Sequence, residues 1–108
     1  MDPQNLIYGT LDVLVLKALT RESMHGYAVA SWMHERTSGV LTVDDAGLYK
    51  ALHRLERAGD IASEWGLSDN NRRAKYYRLT TAGRQRLQRE ASAWRRYAAA
   101  VFLILETG

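Results

Sequence analysis

The most constraining feature of this chain is a spacing near its end. Leu87, Ala91, Trp94, Ala98, Val101 and Leu105 fall 4, 3, 4, 3 and 4 residues apart. That is a heptad seam, and only a helix presents such a series along one side. Thr80 or Thr81 offers a hydroxyl to cap its start, so the helix is expected to run from there to about Leu105. Tyr97, Phe102 and Ile104 widen the stripe toward the C-terminus, whereas Arg84, Gln85, Arg86, Gln88, Arg89 and Glu90 keep the first turns polar. In a chain of 108 residues, which fits one domain, such a helix has little core left to cover. Its seam most simply meets its own copy in a second chain.

Three shorter helices are expected upstream. The first spans about Thr10 to Thr20, with Leu11, Leu14, Val15 and Ala18 on one side and Val13, Leu16 and Leu19 on another. A helix apolar on two sides is expected to touch more than its own core, which again suggests a partner subunit. The second spans about Met24 to Thr37, with Ser23 as candidate cap, a stripe of Val29, Ala30 and Met33, Trp32 at the rim, and Ser38-Gly39 as the stop. The run Val40 to Val43 looks extended. The third helix starts near Asp44 or Asp45 and ends at Gly59. Its Leu48, Leu52 and Leu55 share a core side. At about 100° per residue, Ala46, Lys50, His53 and Arg57 cluster opposite, flanked by Tyr49 and Arg54. Next, Ile61 to Gly66 reads as a strand, and Lys75 to Thr80 alternates Tyr77 and Leu79 against Tyr76 and Arg78. Leu67 to Ala74 is rich in turn formers, so the two strands should form a hairpin with a basic tip.

Charge follows the same division. Residues 1–49 carry a net charge of −3, residues 50–90 a net of +5, and the rest +1. A sign change along one domain fits a positive face for a polyanion, and equally fits ordinary solvated charge. The order of elements decides between them. Three helices followed by a hairpin with a cationic tip is the layout of a winged helix-turn-helix, mainly α with a small β-hairpin. The major groove of B-DNA is about 12 Å wide and admits one helix. The third helix has leucines to hold it and a Lys/His/Arg/Tyr side to read with. Asn70 and Asn71 turn the wing, Arg72, Arg73 and Lys75 are placed for phosphates, and Tyr77 and Leu79 anchor it. Residues 1–80 are therefore expected to be the DNA-binding unit and 81–108 the C-terminal dimerisation helix.

Several stretches carry a resemblance. GTLDVLVLKAL (9–19), MHGYAVA (24–30), LYKALHRLERAGDI (48–61), EWG (64–66), NRRAKYYRLTTAGR (71–84) and the Trp94 helix together resemble the PadR family of bacterial transcriptional regulators, in its short form with one C-terminal helix. The resemblance implies a cytoplasmic, homodimeric repressor of a palindromic operator. It places Gly47, Tyr49, Lys50, His53, Arg54 and Arg57 at double-stranded DNA, with Arg72, Arg73 and Lys75 on its backbone. It implies a dimer surface through the first and last helices, here Leu11, Leu14, Val15, Leu87, Ala91, Trp94, Ala98, Val101, Phe102 and Leu105. Two departures stand out. The family's third helix often opens Gly-Ser-Leu-Tyr-Pro, where this chain has Ala46-Gly47-Leu48-Tyr49-Lys50, so operator preference does not carry over. Asp60 stands where the family often has an aromatic residue. In some short members a tryptophan corresponding to Trp94 lines a dimer cavity for planar aromatic small molecules. Leu11, Val15, Ala91, Trp94 and Ala98 would line it here, and plain interface packing of Trp94 is the other reading.

Other classes have little support. With no cysteine, there is neither a disulfide framework nor a thiolate metal site. His25, His34 and His53 are not paired with carboxylates at ligand spacing, no glycine-rich phosphate loop occurs, and Ser23 and Ser31 lack an activating base. Neither enzyme activity nor a cofactor or metal is expected. MDPQNL is not expected to be a secretory signal, and no apolar run reaches the ~20 residues of a membrane span. Two functional alternatives remain beside the repressor: an aromatic-ligand sensor of the multidrug type, and a dimeric adaptor using the winged helix for protein contacts.

Overall fold

The structure, a computed structural model, describes residues 6, 7 and 9–108. Most of MDPQNL, read above as no secretory signal, lies outside the described residues. The elements run α1 (Leu11–Ala18), β1 (Met24–His25), α2 (Gly26–Arg36), α3 (Asp45–Arg57), β2 (Ile61–Leu67), β3 (Arg73–Leu79) and α4 (Thr81–Leu105). They form a winged helix with four helices and a three-stranded antiparallel sheet in the order β1-β3-β2. The wing thus has one more strand than the expected hairpin.

The two-sided apolar pattern of α1 serves this chain's own core. Leu11, Val15, Leu16, Ala18 and Leu19 are all 2% exposed or less, because α2, α3 and α4 surround the helix. Leu11 and Val15 therefore present almost no surface to a partner, although Leu11 borders a small hollow with Asp44, Ala46, Gly47, Lys50 and Arg54. Both are expected above at the dimer surface and the ligand site; in the single chain they belong to the core. Val13 and Leu14 are the half-buried apolar residues of α1.

The expected start of α2 at a Ser23 cap is also corrected. Met24 and His25 instead pair with Tyr77 and Tyr76 of β3. His25 becomes the cap, its Nδ1 accepting the Ala28 N–H at 3.1 Å. A short strand competes with helix here because the free edge of β3 offers it backbone partners. At the other end, Ser38 and Gly39 take left-handed conformations. Val40–Val43 joins no sheet. Its apolar residues still matter, since Val43 is buried and Leu41 packs on the core.

Helix α3 follows the pattern closely. The Asp44 carboxylate caps it by accepting the Gly47 N–H. Leu48, Ala51, Leu52 and Leu55 are at most 1% exposed. It ends in a Schellman turn, with Gly59 N–H donating to Glu56 O and Asp60 N–H to Leu55 O, both at 3.0 Å. Gly59 has φ +82°, which a side chain would strain. The chain then enters the sheet, where Ile61 pairs with Leu79 and Leu67 with Arg73. The tip closes through Ser68 N–H to Arg72 O and Asn71 N–H to Ser68 O, each 2.8 Å, with Asn71 left-handed at φ 60°. Tyr77 and Leu79 are buried beneath the wing, as the alternation predicts.

The Thr80 hydroxyl joins the hairpin to α4. It accepts the Gly83 N–H at 3.1 Å and donates to Gly59 O at 2.7 Å. Gly83 is the only fully buried residue of α4. Leu87, expected at the head of the dimer seam, packs partly against this chain's own core. Beyond it α4 projects, giving the molecule a long axis of 56 Å against 28 and 21 Å.

A Cβ on Gly83 would sit 2.0 Å from the backbone oxygen of Asp60, so the helix cannot accept one without moving. Gly83→Ala is expected to lower stability by roughly 3 kcal/mol. Gly9→Ala, where a Cβ would meet nothing within 4 Å, is the matched control and should change it by less than about 0.5 kcal/mol. Thermal melts of the two variants check this, and equal melting temperatures would contradict the packing described.

Candidate nucleic-acid interface

With its leucine side buried, α3 turns Ala46, Tyr49, Lys50, His53, Arg54 and Arg57 outward. These residues, with Glu56, Lys75 and Tyr77, line an open groove of about 750 Å³ between α3 and the wing. The Tyr49 ring lies over Gly26, whose missing side chain leaves room for it. Gly47 offers less than expected: its N–H is taken by the Asp44 cap, and it has no side chain.

The cations fall into two groups. Arg54 donates from Nη2 to Asp12 Oδ1 at 2.6 Å and from Nε to Oδ2 at 3.4 Å, so it leans toward α1. The hydrogen bond to Asp12 raises its pKa against the opposing effects of burial and of Arg86. Lys75 places Nζ 3.3 Å from Glu56 Oε1. Glu56 also accepts the Ser63 hydroxyl, and that bond, followed by Lys75, holds its carboxyl below the usual range. By contrast, among the described residues no ion pair joins Lys50, Arg57, Arg72 or Arg73 to a carboxylate. These are the cations available to an incoming anion. Arg73 lies with its guanidinium carbon 4.5 Å over the Trp65 ring.

A second groove, of about 1030 Å³, separates the start of α2 from the wing. It shares Tyr49, Lys75 and Tyr77 with the first and adds Tyr27, Trp65, Arg72 and Arg73. Sequence periodicity does not mark Tyr27 and Trp65 as site residues. The hairpin register would have revealed Trp65, since it stands directly across from Lys75.

Behind α3 lies a charge network. Arg86 of α4 bonds Asp60 at 2.7 Å and Asp12 at 3.2 Å, and also pairs with Glu90. Burial works against its charge, but the bonds to Asp60 and Glu90 and the Asp12 charge outweigh burial and raise its pKa. Asp60 is thus accounted for: the acid is 8% exposed and holds Arg86 where the family often has an aromatic residue. Further along α4, Trp94 and Tyr97 stack tilted at 5.4 Å. With Gly9, Thr10, Val13, Ala93 and the charged Asp12, Arg54 and Glu90 they line a shallow hollow of about 630 Å³. Leu11, Val15, Ala91 and Ala98, expected to line a cavity between two chains, do not border this hollow of the single chain, where Thr10 and Val13 stand beside Trp94. Among the described residues no group of His, Cys, Asp or Glu is arranged to hold a metal, and no helix is long and apolar enough to cross a membrane.

Residues 15–89 match the model of the transcriptional regulator PadR-like family. The chain belongs to the PadR-like family of transcriptional regulators. A PadR family transcriptional regulator from Eggerthella lenta has a similar structure, with TM-score 0.81 and 34% identity over 96% of this chain and 88% of that one. A transcriptional regulator from Clostridium thermocellum shares the fold at TM-score 0.85 and 24% identity, over 94% and 99% of the two chains. An uncharacterized protein of Lysinibacillus sphaericus is 29% identical over 103 residues, 94% of each chain.

The depressed Glu56 carboxyl predicts a pH signature. A folded-state pKa below the unfolded value adds stability above the unfolded pKa, and that stability is lost as pH falls through the folded pKa. The stability gap between the parent and Glu56→Gln should stay constant above about pH 5 and narrow below it. Urea titrations at several pH values check this, and a gap unchanged into acid would contradict the Glu56–Ser63–Lys75 linkage.

Proposed function

We propose that this PadR-like regulator is a homodimer that binds duplex DNA, with α3 in the major groove and the wing on the backbone. One observation carries the reading. The face of α3 opposite its buried leucines, continued by the wing, presents Lys50, Arg57, Arg72 and Arg73 without carboxylate partners among the described residues. Such an arrangement suits a rod of phosphates. Its reading residues are Tyr49, Lys50, His53 and Arg57, and its backbone contacts Arg72, Arg73 and Lys75. Arg54 and Lys75 reach DNA only by exchanging Asp12 and Glu56 for phosphate.

The dimer rests on the far end of α4. Phe102, Leu103, Ile104 and Leu105 are each 59–75% exposed. Four consecutive helical residues cover the whole circumference, so a partner must surround this end. The half-buried Val13 and Leu14 of α1 and the stripe Trp94, Ala98 and Val101 extend the apolar surface. Residues 81–108 thus serve as the dimerisation helix and 1–80 as the DNA-binding unit. A symmetric pair would meet half-sites about 34–36 Å apart, or a multiple of that, in a palindromic operator. The family resemblance supports repression in the cytoplasm as the outcome. A second reading, planar aromatic effectors at Trp94, is favoured by the Trp94–Tyr97 stack at the hollow beside Arg54.

Selection from a random duplex pool is expected to recover a palindrome. Arg72→Ala with Arg73→Ala should weaken binding to every sequence and flatten the log–log salt slope by about 2. Lys50→Ala should instead alter the recovered sequence. Unchanged affinity and slope in the double variant would contradict the wing assignment.

A further inference from the structure

The groove between α2 and the wing holds exposed aromatics that the core does not use. Tyr27, Tyr49 and Trp65 are 75%, 52% and 59% exposed. Three large rings open to water in one groove mark a contact surface. Arg72, Arg73 and Lys75 share that groove, which makes it a poor seat for a purely apolar partner. It is continuous with the α3 groove through Tyr49, Lys75 and Tyr77. Rings alternating with cations match one polymer chemistry in particular: deoxyribose faces pack on rings, and phosphates take the cations.

The sheet register explains how Trp65 takes part. Trp65 pairs with Lys75, so strand alternation puts both on the face that also carries Arg73 and Tyr77. The Arg73 guanidinium lies 4.5 Å over the indole. Stacking restrains a long, mobile side chain while leaving the N–H groups at the guanidinium edge free to fork onto a phosphate. Less side-chain freedom is then lost on binding.

We propose that the sugar–phosphate strand bordering the reading groove runs on through the α2–wing groove, where Tyr27 and Trp65 pack against deoxyribose and Trp65 positions Arg73 for a phosphate. This rests on the duplex-binding reading above and enlarges its footprint to α2 and to the inner face of the wing.

The experiment uses the full chain and a duplex carrying the selected palindrome. Trp65→Ala is expected to raise Kd about three- to thirtyfold and to lower the salt slope by up to about 1, as Arg73 loses its seat. Trp65→Phe, which keeps a ring under Arg73, should stay within about threefold of the parent. In parallel, acrylamide quenching of tryptophan emission should fall when duplex is added to the parent, and this protection should shrink in Trp65→Phe to the part owed to Trp32, which lines the same groove. Melting temperatures of both variants report whether the fold is intact, and Trp65→Phe keeps the test valid if Trp65→Ala unfolds. If the parent binds duplex but Trp65→Phe shows the same protection, or folded Trp65→Ala keeps the parent's Kd and salt slope, this inference fails alone. If the parent shows no salt-dependent duplex binding, the functional reading falls and takes this one with it.

Discussion

Burial of Leu48, Ala51, Leu52 and Leu55 sets the rotation of α3 about its own axis, and the rest of the molecule depends on that rotation. A helix pinned by four residues on one side has no choice about its other side. Tyr49, Lys50, His53 and Arg57 therefore face out together. The Schellman turn at Gly59 then sends the chain straight into the sheet, so the wing rises beside α3 and not behind it. Tyr77 and Leu79, buried beneath it, hold the basic tip at a set distance from the helix.

Carboxylates refine this frame. Asp12 is shared by Arg54 and Arg86, and Arg86 also bonds Asp60, so one partly buried network ties α1, α3 and α4 to the root of the hairpin. Such networks are costly to half-satisfy, and among the described residues no buried side-chain polar atom lacks a partner. Glu56 does the same between α3 and the wing. In both cases an acid restrains a cation that borders the outward face, which keeps the positive surface ordered before any anion arrives. Gly83 completes the joint, letting α4 approach the Asp60 carbonyl more closely than any side chain would permit.

Much of this was legible in the residues. The heptad spacing, the Asp44 cap, the Leu48/Leu52/Leu55 side and the Tyr77/Leu79 alternation each depend on local periodicity, and α3, the wing and α4 follow them. What was not legible depended on partners distant in sequence. Met24 and His25 leave α2 because β3 has a free edge, which no local pattern announces. Helix periodicity shows that α1 has two apolar sides without saying how many helices of its own chain will cover them, so the burial of Leu11 and Val15 was not legible. Trp65 and Tyr27 carry no local signal as site residues, because their shared groove exists only once the hairpin register and the α2 position are set. The pairing of Arg54 with Asp12, 42 residues away, is likewise invisible to spacing.

The account's central claim is that the outward side of α3 and the inner face of the wing together receive a duplex. Backbone amide NMR during titration with a palindromic duplex tests it most directly. The largest shifts should fall on residues 46–57 and 65–75, with the apolar end of α4 at 102–105 unmoved. Shifts confined to α4, or spread evenly over the molecule without saturation, would contradict it.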